Sequence, residues 1–537
     1  MKILIVNTFE IEGGAARAAN RLHQSLLEYG LNSTLLVQTK TTTNPTVIPL
    51  FTKQEAFNMR KSAHKEMSDY PNKSKTLFSV SNIDSTKLVN KINSLNPDIV
   101  HFHWVAMGMI RIEDIIKIKS HIIWNCHDMM ALTGGCHYDE WCGRYKHHCG
   151  KCKVLHSNTE NDLSREIFDR KYFAYKNTQS LHFVGTSKWM VECLKQSVLT
   201  KNNPISHIPS GADGRIFKPL NKAECREMFK IPMNKKVILF GAMNPLGDPR
   251  KGAKELLEAL KLLKIENTIF VIAGCHEQIN KYELELPIYY IPEVSDEVSL
   301  SLIYNTADII IVPSLQENLA NTVVESLLCG IPVVAFDVDG NKDMITHKKN
   351  GYLVEPFKKE DLILGIEWIL HNKLYDDLSL NARTSALAKF DLRILAKQYY
   401  NLYKEVVKKK YMPQALQPYS TLVQPSCNYL EYYNSPSFYE VLFNIKKDNF
   451  KCVIYGAGTV SQTVYAVIPN NIIAYVDLSN NEKYSSSSEE KIFHPSSLKD
   501  ISYDKIIISV LGREKTIVQY LVEELNVPYH KIIIFDL

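Results

Sequence analysis

The sequence predicts an α/β protein made of three doubly wound units. The first observation is a pattern that recurs: a basic residue, a short apolar β-rich run, then glycine and a polar loop. It occurs at KILIVNTFEIEGG from Lys2, KKVILFGAMNPLG from Lys235 and KCVIYGAGTVSQ from Lys451. The second is that helical periodicity follows each opening, as with Ala18, Leu22, Leu26 and Leu27 after the first. A buried parallel strand that feeds a helix through a tight turn reads this way. The third is length: 537 residues exceed one hydrophobic core, and such a chain divides into roughly three to four domains.

In the first unit, STLLVQ from Ser33, DIVHFHW from Asp98, HIIWNCHD from His121 and LHFVGTS from Leu181 read as further strands. In the second, NTIFVIAG, PIYYIPE, DIIIVPS and IPVVAFDVDG do so, each ending in polar or turn residues. The Gly- and Pro-rich stretch HIPSGADGRIFKPL (207–220) reads as a hinge between them. Residues 410–436 contain several prolines and little periodicity and read as a linker. The expected division is therefore 1–209, with a Cys-rich flap at 134–153, then 210–409, the linker 410–436, and a smaller unit at 437–537 that ends in DKIIISV and HKIIIFDL.

Composition is that of an ordinary globular protein, 45% hydrophobic and 23% charged. The net charge of +5 is spread along the chain, which argues against a nucleic-acid partner and suits a phosphate-bearing substrate. The N-terminus turns acidic after about five apolar residues and reads as a strand, not as a signal peptide. No run of 18 apolar residues occurs, so no membrane span is expected. Eleven cysteines, an odd number without an export signal, point to reduced thiols in a cytoplasm.

The most informative stretch is PSLQENLANTVVESLLCGIPVVAFD, 313–337. Ala320, Val323, Val324, Leu327 and Leu328 recur at helical spacing, which predicts a helix from about Ala320 to Cys329. Asn318 or Asn321 is placed to cap its start, and Gly330 and Pro332 to end it. Glu317 then lies in the loop at the carboxyl end of strand DIIIVPS, with Glu325 eight residues on. Such a helix N-terminus offers free N–H groups to anions and sugar oxygens. Taken alone, two such glutamates would be a cap and a solvated charge.

The whole string, E-x7-E followed by C-G-I-P-V-V-A, is similar to the motif of the retaining glycosyltransferases of family 4, which have the GT-B fold of two doubly wound units facing a cleft. That resemblance covers residues 1 to about 405 and implies an enzyme. It implies that Glu317 binds the hydroxyls of the donor sugar and Glu325 the ribose hydroxyls of its nucleotide. Asn318, Leu319 and Ala320, also expected at the donor, stand where many members carry glycine-aromatic-glycine, which leaves the identity of the sugar open. Upstream, GAMNPLGDPRKGAKELLEAL (241–260) resembles the family's phosphate-binding segment, with Arg250 and Lys251 ahead of a helix N-terminus. Many members place arginine directly after the first glycine; Ala242 stands there, so Lys251 carries the likeness and Arg250 is its substitute. Asp337-Val338-Asp339 spells a D-x-D cation motif of another fold, but at this place it reads as a turn, and no catalytic metal is expected.

In the first unit Gly13 and Gly14 follow the first strand without G-x-G-x-x-G spacing; they let the backbone approach a diphosphate or sugar closely, a role the resemblance also implies. His127 ends strand HIIWNCHD and matches the family histidine that faces the donor sugar. Asp128 is placed to orient its ring, and His103 and Trp104 line the same edge as acceptor-side candidates. The resemblance thus implies a donor of nucleotide-diphosphate sugar type, with Lys251 and Arg250 steadying the departing diphosphate, and no protein nucleophile.

Residues 127–152 hold four cysteines and four histidines. Cys136, Cys142, Cys149 and Cys152, spaced C-x5-C-x6-C-x2-C, suit tetrahedral zinc, with His137, His147 and His148 as alternative ligands. A four-cysteine zinc site is closed and structural. The wider segment resembles a family 4 subgroup from bacterial surface-polysaccharide pathways, of the colanic-acid type. The acceptor implied is a saccharide or lipid-linked oligosaccharide, which would place the enzyme at times against the inner face of the plasma membrane. In the third unit Gly456 to Ser461 nearly match a dinucleotide turn, with Asp477 at the end of a strand 21 residues after Gly456. NAD binding there and a vestigial packing module both stay open. The rivals are an NAD-dependent nucleotide-sugar oxidoreductase or epimerase in that unit, and a non-catalytic sugar- or metal-binding scaffold.

Overall fold

The computed structural model describes the chain apart from residues 64, 243, 276–283, 295, 409–444, 446–447, 456–463, 465–468, 477–491, 509–513, 529–530 and 534–537. It divides into two compact units, Met1–Pro413 and Gln414–Leu537. The expected linker, the Gly456-to-Ser461 turn and Asp477 lie outside the described residues.

The first unit holds two parallel sheets. One has the strand order β3-β2-β1-β4-β5-β6-β7, from β1 (Lys2–Asn7), β2 (Asn32–Val37), β3 (Val47–Pro49), β4 (Ile99–Phe102), β5 (His121–Cys126), β6 (Leu181–Gly185) and β7 (Ile205–His207). Ile3, Leu4, Ile5 and Val6 of β1 are all buried, because helices cover both faces of a parallel sheet and every strand position meets a core. Register runs Ile3↔Ile99 to Val6↔Phe102, and Ile99↔His121 to Phe102↔Trp124. Helix α1 (Gly14–Glu28) starts after Gly13, whose φ of 89° lies in the left-handed region that glycine tolerates. Helix α2 (Leu163–Asn177), capped by the Asp162 carboxylate, and α3 (Lys188–Gln196), capped by Ser187, follow later in the chain.

The other sheet has the order β10-β9-β8-β11-β12-β13, from β8 (Lys236–Gly241), β9 (Thr268–Ala273), β10 (Ile288–Ile291), β11 (Ile309–Val312), β12 (Val333–Phe336) and β13 (Gly351–Val354). Helix α4 (Ala253–Leu260) follows β8, and α5 (Asn321–Leu328) follows β11. In both sheets the strand order reverses beside the first strand of the sheet, β1 and β8, which is where open α/β sheets bind ligands. The long helix α6 (Leu392–Lys408) belongs with the first sheet, although it lies at the end of the second stretch of sequence. Its Leu395, Ala396, Tyr399, Leu402 and Tyr403 share one apolar cluster with Ile3, Ile5, Leu22 and Ile123.

The second unit has a parallel sheet of its own, ordered β16-β15-β14-β17-β18. Its strands are β14 (Cys452–Tyr455), β15 (Ile472–Val476), β16 (Ile492–Phe493), β17 (Lys505–Ile508) and β18 (Ile532–Ile533). Val453, Tyr455, Val476, Ile506, Ile508 and Leu521 form its core.

Candidate active site

The loops after the strands of the two sheets of the first unit meet face to face, and the expected residues fall on that seam. Lys251 ends a short turn at Pro249–Lys251, which Asp248 caps by accepting the Arg250 backbone N–H. Lys251 Nζ donates to Glu317 Oε2 at 2.8 Å and Arg250 Nη1 reaches the same oxygen at 3.3 Å. Burial alone would raise the Glu317 carboxyl, but the two cations outweigh it and hold it down at about 2. Glu317 is therefore an anion, 6% exposed, and Arg250 also lies over the Tyr138 ring, 4.5 Å from its centroid.

Gly252 holds this turn in place. Its φ is +71°, and a Cβ there would stand 1.7 Å from the Pro313 carbonyl oxygen at the end of β11. Only glycine lets the Arg250–Lys251 turn lie this close to the Glu317 loop.

Asn318 behaves differently from the expectation. Helix α5 starts after Ala320 with no side-chain cap, and Asn318 instead spans the seam. Its Nδ2 donates to the carbonyls of Cys126 (3.0 Å) and His127 (2.9 Å) and to Thr186 Oγ1 (2.7 Å), while its Oδ1 accepts from Ser187 Oγ at 2.6 Å. The asparagine spends its hydrogen bonds on the first sheet, so none remains for the helix. Leu319 lines a cavity of about 600 Å³ with His207, Lys389 and Glu405, away from the cations. Ala320 lines a much smaller one with Gly241, Lys251 and Thr322. Gly14 faces the start of α5, where Asn321 Nδ2 donates to its carbonyl at 3.1 Å.

Glu325 is 2% exposed. Its Oε1 accepts from Arg21 Nη2 and its Oε2 from Tyr304 Oη, both at 2.7 Å. Arg21 also donates to Glu297 at 2.6 Å. Burial would lower the Arg21 pKa, but Glu325 and Glu297 together raise it. Arg21 of α1 thus joins the first sheet's helix to the second sheet's glutamate, across 304 residues of sequence.

His127 is half-buried at the end of β5. Asp128 does not orient it: its Oδ2 accepts from Trp104 Nε1 (2.9 Å) and pairs with His137 Nδ1 (2.6 Å). The neighbour of His127 is His103, whose Nδ1 lies 2.8 Å from His127 Nε2. Trp104 is held by that Asp128 bond and stacks on Phe9 at 5.8 Å. Burial lowers His127 to about 4, with Asp128 opposing, so its ring is neutral near pH 7.

Several residues of the seam carry no local signal in the sequence. Asp139 accepts from Gln316 Nε2 at 2.9 Å, and Tyr138 Oη lies 3.5 Å from Glu317 Oε1. Asp339 Oδ2 accepts the Glu317 backbone N–H at 2.9 Å. The D-x-D stretch is a turn, as expected, but one that cradles the Glu317 loop. Gly340 N–H donates to the Glu317 carbonyl, and a Cβ on Gly340 would stand 1.6 Å from the Asn318 oxygen.

The zinc expectation is not supported. Among the described residues no three His, Cys, Asp or Glu are grouped as a metal site requires. Cys136 and Cys152 pack with Phe78, Val80 and Ile167, whereas Cys149 belongs to the core under the first sheet and accepts the Gly134 N–H at 3.2 Å. His137 is engaged by Asp128 and Ser79, and His148 by Asp169 and Arg165. The flap is anchored instead by the start of α2, where Ser164 Oγ accepts the Gly150 N–H at 3.1 Å and the Asp162 carboxylate the Cys152 N–H at 2.8 Å, while the Arg165 guanidinium donates to the Cys149 carbonyl.

Residues 221–385, which contain Lys251, Glu317 and Glu325, match the family described as glycosyl transferases group 1. An uncharacterized glycosyltransferase of Methanocaldococcus jannaschii is 24% identical over 332 residues, 57% of this chain and 82% of the relative. The N,N'-diacetylbacillosaminyl-diphospho-undecaprenol alpha-1,3-N-acetylgalactosaminyltransferase of Campylobacter jejuni is 30% identical over 46% of this chain and 66% of its own. The chain is a glycosyltransferase. The transferase has the GT-B architecture: the structure of Anabaena Alr3699/HepE in complex with UDP-glucose matches 75% of the chain and all of its own with a TM-score of 0.52, at 14% identity. The second unit of the transferase matches, over residues 448–533, a family described as C2185-like, N-terminal. No described helix of the transferase is long and apolar enough to cross a membrane.

Proposed function

We propose that the protein is a retaining transferase of family 4 that moves a sugar from a nucleotide-diphosphate sugar to a hydroxyl of a saccharide or lipid-linked saccharide, in the assembly of a bacterial surface polysaccharide. The observation that carries this reading is the triad of Lys251, Arg250 and Glu317 on the seam, two cations and one carboxylate held ionised in a buried site. The cations are 22% and 23% exposed, open enough to meet an anionic ligand. The Anabaena complex with UDP-glucose supports the donor class, and the Campylobacter relative, named for a diphospho-undecaprenol substrate, supports a lipid-linked acceptor. An acceptor of that kind would bring the protein to a membrane surface.

In this reading the donor diphosphate settles against Lys251 and Arg250, next to Gly13 and Gly14, and takes over the positive charge that Glu317 now shares. As the bond to the anomeric carbon breaks, negative charge grows on the diphosphate, where pre-placed cations stabilise it without reorganisation. Glu317, released from Lys251, accepts hydrogen bonds from the sugar hydroxyls, and His127 closes the other side. The acceptor hydroxyl enters on the face that the diphosphate leaves, and its proton passes to the departing phosphate oxygen as the new bond to the anomeric carbon forms. Glu325 meets the ribose edge through the lone pairs not used by Arg21 and Tyr304.

The test is release of UDP from UDP-glucose, UDP-galactose and UDP-N-acetylgalactosamine. At least one should be turned over, and Lys251→Ala and Glu317→Ala should each lower the rate by about 10²-fold or more, the size of loss when a charge-stabilising group is removed. Unchanged rates in both variants would overturn the assignment.

A further inference from the structure

Behind His127 lies a buried polar group in the first sheet that the reading above does not use. His101 and His103 are two residues apart on β4 and its extension, with ring centroids 4.5 Å apart. They are 0% and 2% exposed. Asn125 stands on β5 one step past the paired residues Phe102 and Trp124, so it is level with His103. Helix α6 covers the group with Tyr399, 5.2 Å from the His101 ring, and Tyr403, whose hydroxyl is 2.8 Å from His101 Nδ1. Among the described residues four buried atoms here have no hydrogen-bond partner: His101 Nε2, His103 Nε2, Asn125 Oδ1 and Tyr399 Oη. Four orphans in one place require an explanation, because each costs the desolvation of a polar group.

Hydrogen-bond bookkeeping assigns the protons. With the Asn125 amide oriented as the structure places it, Nδ2 lies 3.4 Å from His127 Nε2 and can only donate, so in that orientation the ring nitrogen carries a lone pair. His103 Nδ1, 2.8 Å from the same lone pair, therefore carries a proton. Burial pushes His101 down to about 3 and His103 well below its usual range, so each ring is neutral and holds one proton. His103 Nε2 is then an acceptor. Among the described residues the Tyr403 hydroxyl has no acceptor other than His101 Nδ1, so it donates there, which leaves the His101 proton on Nε2. The orphans are two donors, His101 Nε2–H and Tyr399 O–H, and two acceptors, His103 Nε2 and Asn125 Oδ1. One water molecule offers two acceptors and two donors, the same count in complement.

We propose that His103 is a positioning residue for His127, and that a buried water held by His101, His103, Asn125 and Tyr399 fixes its proton on Nδ1. His103 Nδ1–H then donates to His127 Nε2, which places the His127 proton on Nδ1, the far side of the ring. His127 faces its substrate as an N–H donor suited to a sugar oxygen and not as a base. This rests on the reading that His127 meets the donor sugar.

The full-length protein with ¹⁵N-labelled histidine decides it. The His127 signals, identified by their loss in His127→Gln, should show a protonated Nδ1 and a bare Nε2; a protonated Nε2 overturns the relay while leaving the role of His127 intact. His103→Leu should lower kcat for UDP release by about 10- to 100-fold with little change in the donor KM, as expected when a reacting contact loses alignment. His103→Gln, which keeps a donor at that place, should recover most of the rate. Equal losses in both variants, or a change confined to KM, count against positioning. If His103→Leu does not fold, the tautomer of the unaltered protein still decides. Unchanged UDP release in His127→Ala would instead refute the reading on which the relay rests.

Discussion

Asp339 lies between two other carboxylates, Glu317 and Asp139, and accepts the Glu317 backbone N–H. Burial raises its pKa to about 7; the Glu317 amide hydrogen bond works against this, and the charges of Glu317 and Asp139 add to it. A carboxyl whose pKa is higher folded than unfolded holds its proton more tightly in the folded state. The folded state therefore loses stability as the pH rises from about 4, the unfolded value, to about 7. Asp339→Asn keeps an oxygen for the Glu317 amide and removes the titration. The variant should melt at least about 2–4 °C higher than the parent at pH 8, the shift that about 1 kcal/mol produces in a large domain. Near pH 4, where the parent is protonated, the two should melt together. Melting curves that differ by the same amount at every pH would sink this account. The triad of Lys251, Arg250 and Glu317 differs in kind: its carboxylate is held ionised, as the proposed role of accepting hydrogen bonds from sugar hydroxyls requires.

At the scale of elements, the turn between β8 and α4 shows how backbone shape sets the chemistry. Gly252 combines a left-handed φ with a close approach to Pro313 O, so Gly252→Ala meets both a conformational cost and a backbone clash. Gly30, after α1, has φ +87° but nothing within 4 Å of a Cβ; Gly30→Ala pays only the conformational cost, about 1–2 kcal/mol. Gly252→Ala should push Lys251 away from Glu317 and lower UDP release by about 10²-fold, with circular dichroism unchanged. Gly30→Ala should leave the rate within about twofold of the parent. Similar rates for the two variants would refute the packing argument. The same elements show what a sequence can disclose. Strands buried on both faces leave continuous apolar runs, so the three openings are visible, and Lys251 and Glu317 each sit just past such a run. Arg21 and Asp139 gave no sign in the sequence and Asp339 read only as part of a turn, because their meaning lies in partners 304, 177 and 22 residues away. Asn318 sits where a local cap is expected, yet its partners across the seam took its hydrogen bonds. The four cysteines have the count and spacing of a zinc site, but spacing does not say where side chains point: packing put Cys136 and Cys152 in one apolar cluster and Cys149 in another, and left Cys142 outside both.

At the scale of the whole molecule, helix α6 closes the unit that holds the candidate site. Every residue named in the site and the relay lies in Met1–Pro413, and that unit has its own sheets and cores. Residues 414–537 have a separate sheet and a separate core. Residues 1–413 expressed alone should therefore melt cooperatively and release UDP at a rate within about threefold of the full chain. A cut at residue 391, near the end of the glycosyl transferase group 1 match at 385, should behave very differently. It removes Leu392, Leu395, Ala396, Tyr399, Leu402, Tyr403 and Val406 from the cluster under the first sheet. At about 1.5–3 kcal/mol for each large buried side chain, the loss reaches about 10 kcal/mol, as much as the whole stability of a typical domain. It also takes away the Tyr403 hydroxyl and leaves the His101 ring without its partner. The 1–391 chain should fail to give a cooperative melt. If it folds and turns over donor as 1–413 does, then α6 is an accessory, and the coupling argued between the crossing helix and the first sheet is wrong.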